Sequence, residues 1–160
     1  MAANWTWPLL VNVIRKKKVS NTFGMVRHYA NGTPKPHQGW DFEAAVGTTA
    51  YAIAGGKVHS VKSGGDYGHR ITIEFEHNGV KYWAFYAHMQ HIGKSVGDIV
   101  ELNDEIGTTG KSGNAINLPA SEDHLHFEIR TQASPGMGLA GRISPIKIFG
   151  VCPLNVPIAG

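Results

Sequence analysis

The sequence predicts an all-β fold of short, mostly antiparallel strands with little helix. Apolar and polar residues alternate with a period of two over residues 57–62, 70–76 and 81–88, which is typical of strands with one buried face. Asn78-Gly79 lies between the second and third runs and predicts a two-residue hairpin turn, because both positions favour positive φ. The 20 glycines punctuate the remaining strands.

The other elements are shorter. No run of a dozen residues has helical periodicity, so helix is expected only as short turns. The best candidates for such turns are residues 89–92 and 144–149. Residues 96–107 resemble the V-G-D-x-V hairpin of biotinyl and lipoyl carrier domains, but the tip at residues 102–104 contains no lysine to modify. The segment therefore indicates a folded-over β-sandwich and not a carrier. Without repeats or linkers, residues 1–160 are expected to form a single domain.

Composition excludes several function classes. The net charge of +3 and the pI of about 9.0 favour encounter with an anionic polymer. Nucleic-acid binding has no further support, because the chain has neither a basic helix nor a paired-cysteine finger. No segment approaches the roughly 20 apolar residues of a membrane span. The run Arg15–Lys18 is interpreted as a solvated turn, and the single Cys152 as a buried, inert thiol and not a zinc ligand.

Two histidine motifs indicate a metal site. His37 and Asp41 form an H-x-x-x-D motif at a loop-to-strand entry, and His124 and His126 form an H-x-H motif. Residues i and i+2 of a strand share a face, so the two histidines of H-x-H point one way and their neighbours point into a core. A catalytic zinc site takes three protein ligands and keeps a fourth position open. Two histidines and one carboxylate satisfy that count, so the chain is interpreted as a metal-dependent hydrolase.

Further histidines remain for other purposes. His88 is expected at a strand end, on the same face as Tyr86, where it could transfer protons. The others are expected to be satisfied or solvent-facing side chains: His28, His59, His69, His77 and His91.

These motifs belong to an ordered series that resembles the lysostaphin-type (LytM-like) zinc metalloendopeptidases, which cut peptide cross-links of bacterial cell walls. The series covers about residues 21–149 and comprises Phe23-Gly24 with Arg27, His37-Gln38-Gly39-Trp40-Asp41-Phe42, Gly47-Thr48, residues 52–58, Tyr86-Ala87-His88-Met89, Val96-Gly97-Asp98, residues 107–113, and His124-Leu125-His126-Phe127-Glu128. The resemblance implies a lysostaphin/LytM-like catalytic domain with one Zn²⁺ per chain.

The resemblance also implies individual roles. His37, Asp41 and His126 would be the zinc ligands, and His124 and His88 would be catalytic histidines that do not bind the metal. His124 is the candidate general base, while His88 would hold the tetrahedral oxyanion or protonate the leaving amine.

Two departures from the family pattern leave alternatives open. Tyr29 lies near the place of an upstream tyrosine that stabilises the oxyanion in many relatives, but a packing or surface role is equally compatible. The segment 114–123 is longer than is usual in the family. It either overhangs the site and shapes substrate choice or is a surface insertion.

Three functions are compatible with an all-β domain that carries these motifs. The first is a zinc endopeptidase whose substrates are peptidoglycan peptides, with the D-Ala–diaminopimelate cross-link favoured over the glycine bridges of some Gram-positive walls. The second is a non-catalytic LytM-like domain that binds and activates a wall amidase; such domains have typically lost ligands, whereas none of the five residues is missing here. The third, a purely structural β-sandwich, leaves the five-residue coincidence unexplained.

Delivery to the cell wall is a separate question. Residues 1–18 carry their positive charge after the apolar stretch and lack a small-x-small cleavage site, so no secretory signal is recognised. Action in the periplasm or cell wall would then follow leaderless secretion, phage release or removal of a leader. A leaderless antibacterial effector or a phage lytic enzyme is favoured. We expect a monomer, with an inhibitor or immunity protein as a candidate partner.

Overall fold

The computed structural model describes residues 4–160. Its strands are β1 (Val11–Asn12), β2 (Gly24–His28), β3 (Pro34–His37), β4 (Trp40–Glu43), β5 (Thr49–Tyr51), β6 (Gly56–Lys62), β7 (His69–His77), β8 (Val80–Ile92), β9 (Ile99–Val100), β10 (Glu105–Thr109), β11 (His124–Arg130), β12 (Arg142–Ile143) and β13 (Ile158–Ala159). The α-helix α1 spans Ile146–Phe149, and 3₁₀ turns span Arg15–Lys17, Val19–Asn21, Gly113–Ala115 and Ala120–Glu122. No helix in these residues is long and apolar enough to cross a membrane.

The main sheet is antiparallel and has the order β12-β11-β8-β7-β6-β9. Strand β4 pairs with residues 124–127 of β11, and β10 pairs with both β5 and β8. Two small sheets, β1 with β13 and β2 with β3, complete the fold. The prediction of an all-β, mostly antiparallel fold is therefore confirmed.

The long hairpin β7–β8 is the element that the sequence predicts best. Asn78 and Gly79 connect the strands with φ of 51° and 79°, as the turn requires. The helical turn expected near residues 89–92 is wrong, because β8 continues to Ile92 and pairs there with β10. The turn expected over residues 144–149 corresponds to α1.

The hydrophobic core lies against one face of β11. Leu125, Phe127 and Ile129 are fully buried in it, as the alternation predicts. Phe127 contacts Tyr86 edge to face, with ring centroids 5.1 Å apart. Cys152 is half-buried at the edge of this core, and burial raises the pKa of its thiol. The opposite face of β11 is thereby left to His124, His126 and the residues around them.

Gly39 allows β3, β4 and β11 to approach closely. A Cβ at this position would lie 2.1 Å from the Phe127 carbonyl oxygen, so no side chain fits without moving the backbone. We expect Gly39→Ala to lower the free energy of unfolding by about 1–3 kcal/mol, as other overpacked substitutions do. Urea denaturation monitored by tryptophan fluorescence measures the change.

Gly136→Ala is the matched control for this substitution, because nothing lies within 4 Å of the added Cβ. We expect the control to stay within about 0.5 kcal/mol of the unsubstituted chain. Equal stability of the two variants would contradict the proposed steric role of Gly39.

Candidate active site

His37, Asp41 and His126 converge on one point. The pairing of β4 with β11 places Asp41 directly opposite His126, and His37 ends β3 beside them. Asp41 Oδ1 lies 2.8 Å from His126 Nδ1 and 3.2 Å from His37 Nε2. One ligand atom from each residue lies within 4.8 Å of the other two, and all three residues are buried. The structure thus brings together the three residues expected to bind the metal.

The hydrogen bond of His37 Nδ1, the ring nitrogen that faces away from Asp41, determines which nitrogen is free to bind a cation. His37 Nδ1 lies 2.8 Å from the Thr22 carbonyl oxygen, which can only accept, so the proton sits on Nδ1. Burial lowers the pKa of His37 and favours the neutral ring, whose Nε2 then presents a lone pair to Asp41. Two acceptors facing each other need a positive charge between them. Two histidines and one carboxylate are also a ligand set of catalytic zinc sites.

His126 is held on its other side by a buried glutamate. Its Nε2 lies 2.7 Å from Glu128 Oε2, which is the carboxylate–histidine contact that commonly orients a metal-binding imidazole. Burial acts to lower the pKa of His126, but the hydrogen bonds to Asp41 and Glu128 raise it to about 9. His126 would therefore bind the metal through Nδ1, in place of a proton, while Nε2–H donates to Glu128.

Two arginines hold Glu128. Arg130 Nε and Arg142 Nε donate to Glu128 Oε1 at 2.8 and 2.6 Å. Burial alone would raise the pKa of Glu128, but His126 and these guanidinium groups lower it to about 2. The histidine motifs alone predict no role for this glutamate. Its position two residues after His126, on the same face of β11, is the signal that could have identified it.

Asp41 also has supporting cations. Its Oδ2 accepts from Arg15 Nη2 at 2.9 Å and from Arg27 Nη2 at 3.1 Å. Burial would raise the pKa of Asp41, but His37 and His126 hold it well below its usual range. The expectation of a solvated turn is thus wrong for Arg15, because a buried carboxylate needs countercharge, and it holds for Lys17, which is exposed.

His88 and His124 lie beside the metal-binding group. Their ring centroids are 5.0 Å apart, and His88 is 6.1 Å from His126 by the same measure. His88 Nδ1 donates to Ser112 O at 2.8 Å, and His124 Nδ1 donates to Glu122 O at 2.9 Å. Each Nε2 therefore carries the lone pair of a neutral ring. Burial lowers the pKa of His88 to about 4 and also lowers that of His124, so both can accept protons at neutral pH.

An irregularity in β8 brings His88 to this face. His88 has φ of 57°, and the pairing of β8 with β7 shifts register at this point. Its backbone N–H donates to Tyr67 O, and its carbonyl accepts from Gly110 N, both at 2.9 Å. Tyr86 instead points into the core, where its hydroxyl donates to Tyr51 O at 2.8 Å. The expectation that His88 and Tyr86 share a face is therefore wrong.

The five residues line an open cleft of about 660 Å³. Asn114 and Leu118, from the long segment 114–123, also line it, which agrees with the overhanging alternative. Tyr29 lies at the rim with half its surface exposed, whereas Tyr67, which no sequence motif predicts, lies between Gln38 and His126. The remaining histidines are exposed or partly exposed, as expected: His28, His59, His69, His77 and His91.

Known proteins resemble this chain in sequence and in fold. The profile of Peptidase family M23 matches residues 35–136. Peptidoglycan DD-endopeptidase ShyB of Vibrio cholerae is 31% identical over 109 residues, which are 68% of this chain and 24% of ShyB. The crystal structure of a zinc containing peptidase from Vibrio cholerae is 28% identical with a TM-score of 0.59, over 78% of this chain and 37% of that one.

The catalytic domain of the antimicrobial peptidase lysostaphin from Staphylococcus simulans has a TM-score of 0.62 at 24% identity, over 82% of this chain and 90% of that one. At this identity the likeness shows the fold alone. The chain spans about a quarter of the length of the curated relatives that it matches. Because the family profile covers more than half of the chain, the protein belongs to Peptidase family M23.

Proposed function

We propose that this protein is a zinc endopeptidase that hydrolyses peptide cross-links of bacterial peptidoglycan. The observation that carries the proposal is the convergence of His37 Nε2, Asp41 Oδ1 and His126 Nδ1, with two neutral histidines beside them. A Zn²⁺ ion held by these three atoms would lower the pKa of a bound water and polarise the scissile carbonyl. A non-catalytic domain would not need the tautomers of His88 and His124 to be fixed.

The two neutral histidines, His88 and His124, would transfer the protons in this reaction. In our proposal His124 Nε2 takes the proton of the attacking water, and its Nδ1–H bond to Glu122 O keeps that nitrogen free. His88 Nε2, on the adjacent ring, also starts without a proton, so it would accept the second proton of the attacking water and pass it to the leaving amine. The Ser112 carbonyl fixes the His88 tautomer in the same way.

The substrate bond is proposed from the relatives and the cleft. ShyB is named as a peptidoglycan DD-endopeptidase, so we propose the D-Ala–diaminopimelate cross-link as the bond cleaved. The cleft is open to solvent and Arg27 and Lys35 line it, which suits a stem peptide that carries carboxylates. The site of action would then be the periplasm or cell wall.

Removing the metal should abolish activity reversibly. We expect a chelator to stop the release of peptides from purified Gram-negative sacculi, and stoichiometric Zn²⁺ to restore it, because the ligand geometry is formed by the protein itself. Elemental analysis gives the zinc content, and mass spectrometry of the products identifies the bond. Sacculi with glycine bridges serve as the comparison substrate. Unchanged hydrolysis after complete zinc removal would reject the proposal.

A further inference from the structure

A short turn between β11 and β12 reaches the cleft. It comprises Gly136, Met137 and Gly138, and the last two line the cleft beside Gln38. Gly138 has φ of 96°, a conformation that glycine adopts more easily than other residues. Because both flanking residues lack a side chain, Met137 is the one side chain that this turn presents to the cleft.

The main chain of this turn is held on both sides of Met137. Arg142 Nη1 donates to the carbonyl oxygens of Gly136 and Gly138 at 2.5 and 2.8 Å. The Gly138 N–H donates to Gln38 Oε1 at 2.7 Å. Arg142 and Gln38 are themselves buried, and hydrogen bonds from a guanidinium group are among the stronger ones in proteins. The turn is therefore fixed at its place in the cleft wall.

The same guanidinium group connects the turn to the proposed metal site. Arg142 Nε donates to Glu128 Oε1 at 2.6 Å, and Glu128 Oε2 lies 2.7 Å from His126 Nε2. One arginine thus holds both the glutamate that orients His126 and the main chain around Met137. A substrate bound in the cleft would meet this turn in a preformed position, so little conformational entropy would be lost in ordering it.

The Met137 side chain is 77% exposed, so the fold itself makes little use of it. Exposure alone does not indicate a function, because single exposed apolar side chains are common on protein surfaces. Met25 is an example, since it is 56% exposed on β2 and does not line the cleft. Met137 differs in its position beside the proposed catalytic residues and in its anchored main chain. A flexible thioether in that position can adapt its shape to an apolar group of a bound molecule.

We propose that Met137 is a specificity-determining residue that packs against the methyl group of the D-alanine whose carbonyl is attacked. This rests on the proposed function. In the D-Ala–diaminopimelate cross-link, that methyl is the side chain next to the cleaved bond on the acyl side. Glycine bridges have no side chain at this place, so Met137 favours alanine over glycine. The contact with one methyl group corresponds to about fourfold in kcat/KM.

Two soluble cross-linked peptides test this proposal, one with D-Ala and one with Gly as the acyl residue of the cleaved bond. We expect Met137→Ala to lower kcat/KM about fourfold on the D-Ala peptide and less than about twofold on the Gly peptide. Zinc content and the thermal unfolding midpoint should stay at the wild-type values, because the replaced side chain is exposed. Met25→Ala is the matched control and should leave kcat/KM unchanged on both peptides.

A binding measurement separates contact with the methyl group from an effect on the reaction. The zinc-loaded protein, labelled isotopically at its methionine methyl groups, is titrated with the tetrapeptide product that ends in D-Ala. We expect the NMR resonance of the Met137 methyl group to shift and that of Met25 to stay in place. An equal loss of kcat/KM on both peptides, or an unchanged Met137 resonance at saturating peptide, would overturn the assignment of Met137 and leave the peptidase proposal intact. A zinc-loaded wild-type protein that cleaves neither peptide would overturn both.

Discussion

Asp41→Asn should lose the proposed zinc ion and, with it, more than about a thousandfold of the hydrolytic rate, since in the proposed mechanism water activation and carbonyl polarisation both depend on that metal. The amide keeps the shape of the carboxylate but removes the anion that lies between His37 Nε2 and His126 Nδ1. Elemental analysis after gel filtration and digestion of Gram-negative sacculi measure the two losses.

Asp66→Asn is the control for this experiment. Asp66 also lines the cleft, but it is exposed and takes no part in the convergent group. We expect this variant to keep stoichiometric zinc. If Asp41→Asn also kept stoichiometric zinc, Asp41 would not be a ligand.

His124→Ala should keep zinc and lose about 10²–10⁴-fold in kcat, which is the range for removing a general acid–base group. We expect the metal to stay bound because His124 is not one of the proposed ligands. Its Nε2 lies 3.8 Å from Asp41 Oδ1, whereas the corresponding distances from His37 Nε2 and His126 Nδ1 are 3.2 and 2.8 Å. Hydrolysis of a cross-linked peptide at saturating zinc gives the rate, and elemental analysis gives the occupancy.

An exposed histidine provides the comparison for His124. His91 lies on β8 outside the cleft, and His91→Ala should behave as wild type in both measurements. Near-normal hydrolysis by His124→Ala with full zinc occupancy would reject its role as the base.

The local part of the site could be predicted from sequence, because strand periodicity alone determines it. His124 and His126 share a face, and Leu125 and Phe127 enter the core, as alternation requires. The H-x-x-x-D motif adds Asp41 at a strand start, and pairing of that strand with β11 brings the two motifs together.

The supporting contacts could not be predicted in the same way, because they depend on tertiary structure. Arg15 reaches Asp41 across 26 positions of the chain, and its basic neighbours give the segment the composition of a solvated turn. Arg142 reaches Glu128 from β12, a strand of two residues with no clear pattern of its own. Strand alternation predicts that His88 shares a face with Tyr86. The register of β8 is irregular at His88, whose backbone hydrogen bonds with Tyr67 and Gly110 hold this irregularity, so the side chain lies on the opposite face.

The left-handed backbone at position 88 limits which replacements give an interpretable result there. Asparagine tolerates such a conformation better than most residues, so it would exchange the imidazole for an amide and leave the main chain in place. Valine or threonine would oppose that conformation and favour a regular ladder, which would rotate the neighbouring side chains and disturb the core as well as the chemistry. A loss of activity in His88→Val would therefore combine the loss of the ring with a change in the path of the strand, whereas a loss in His88→Asn would report on the ring alone.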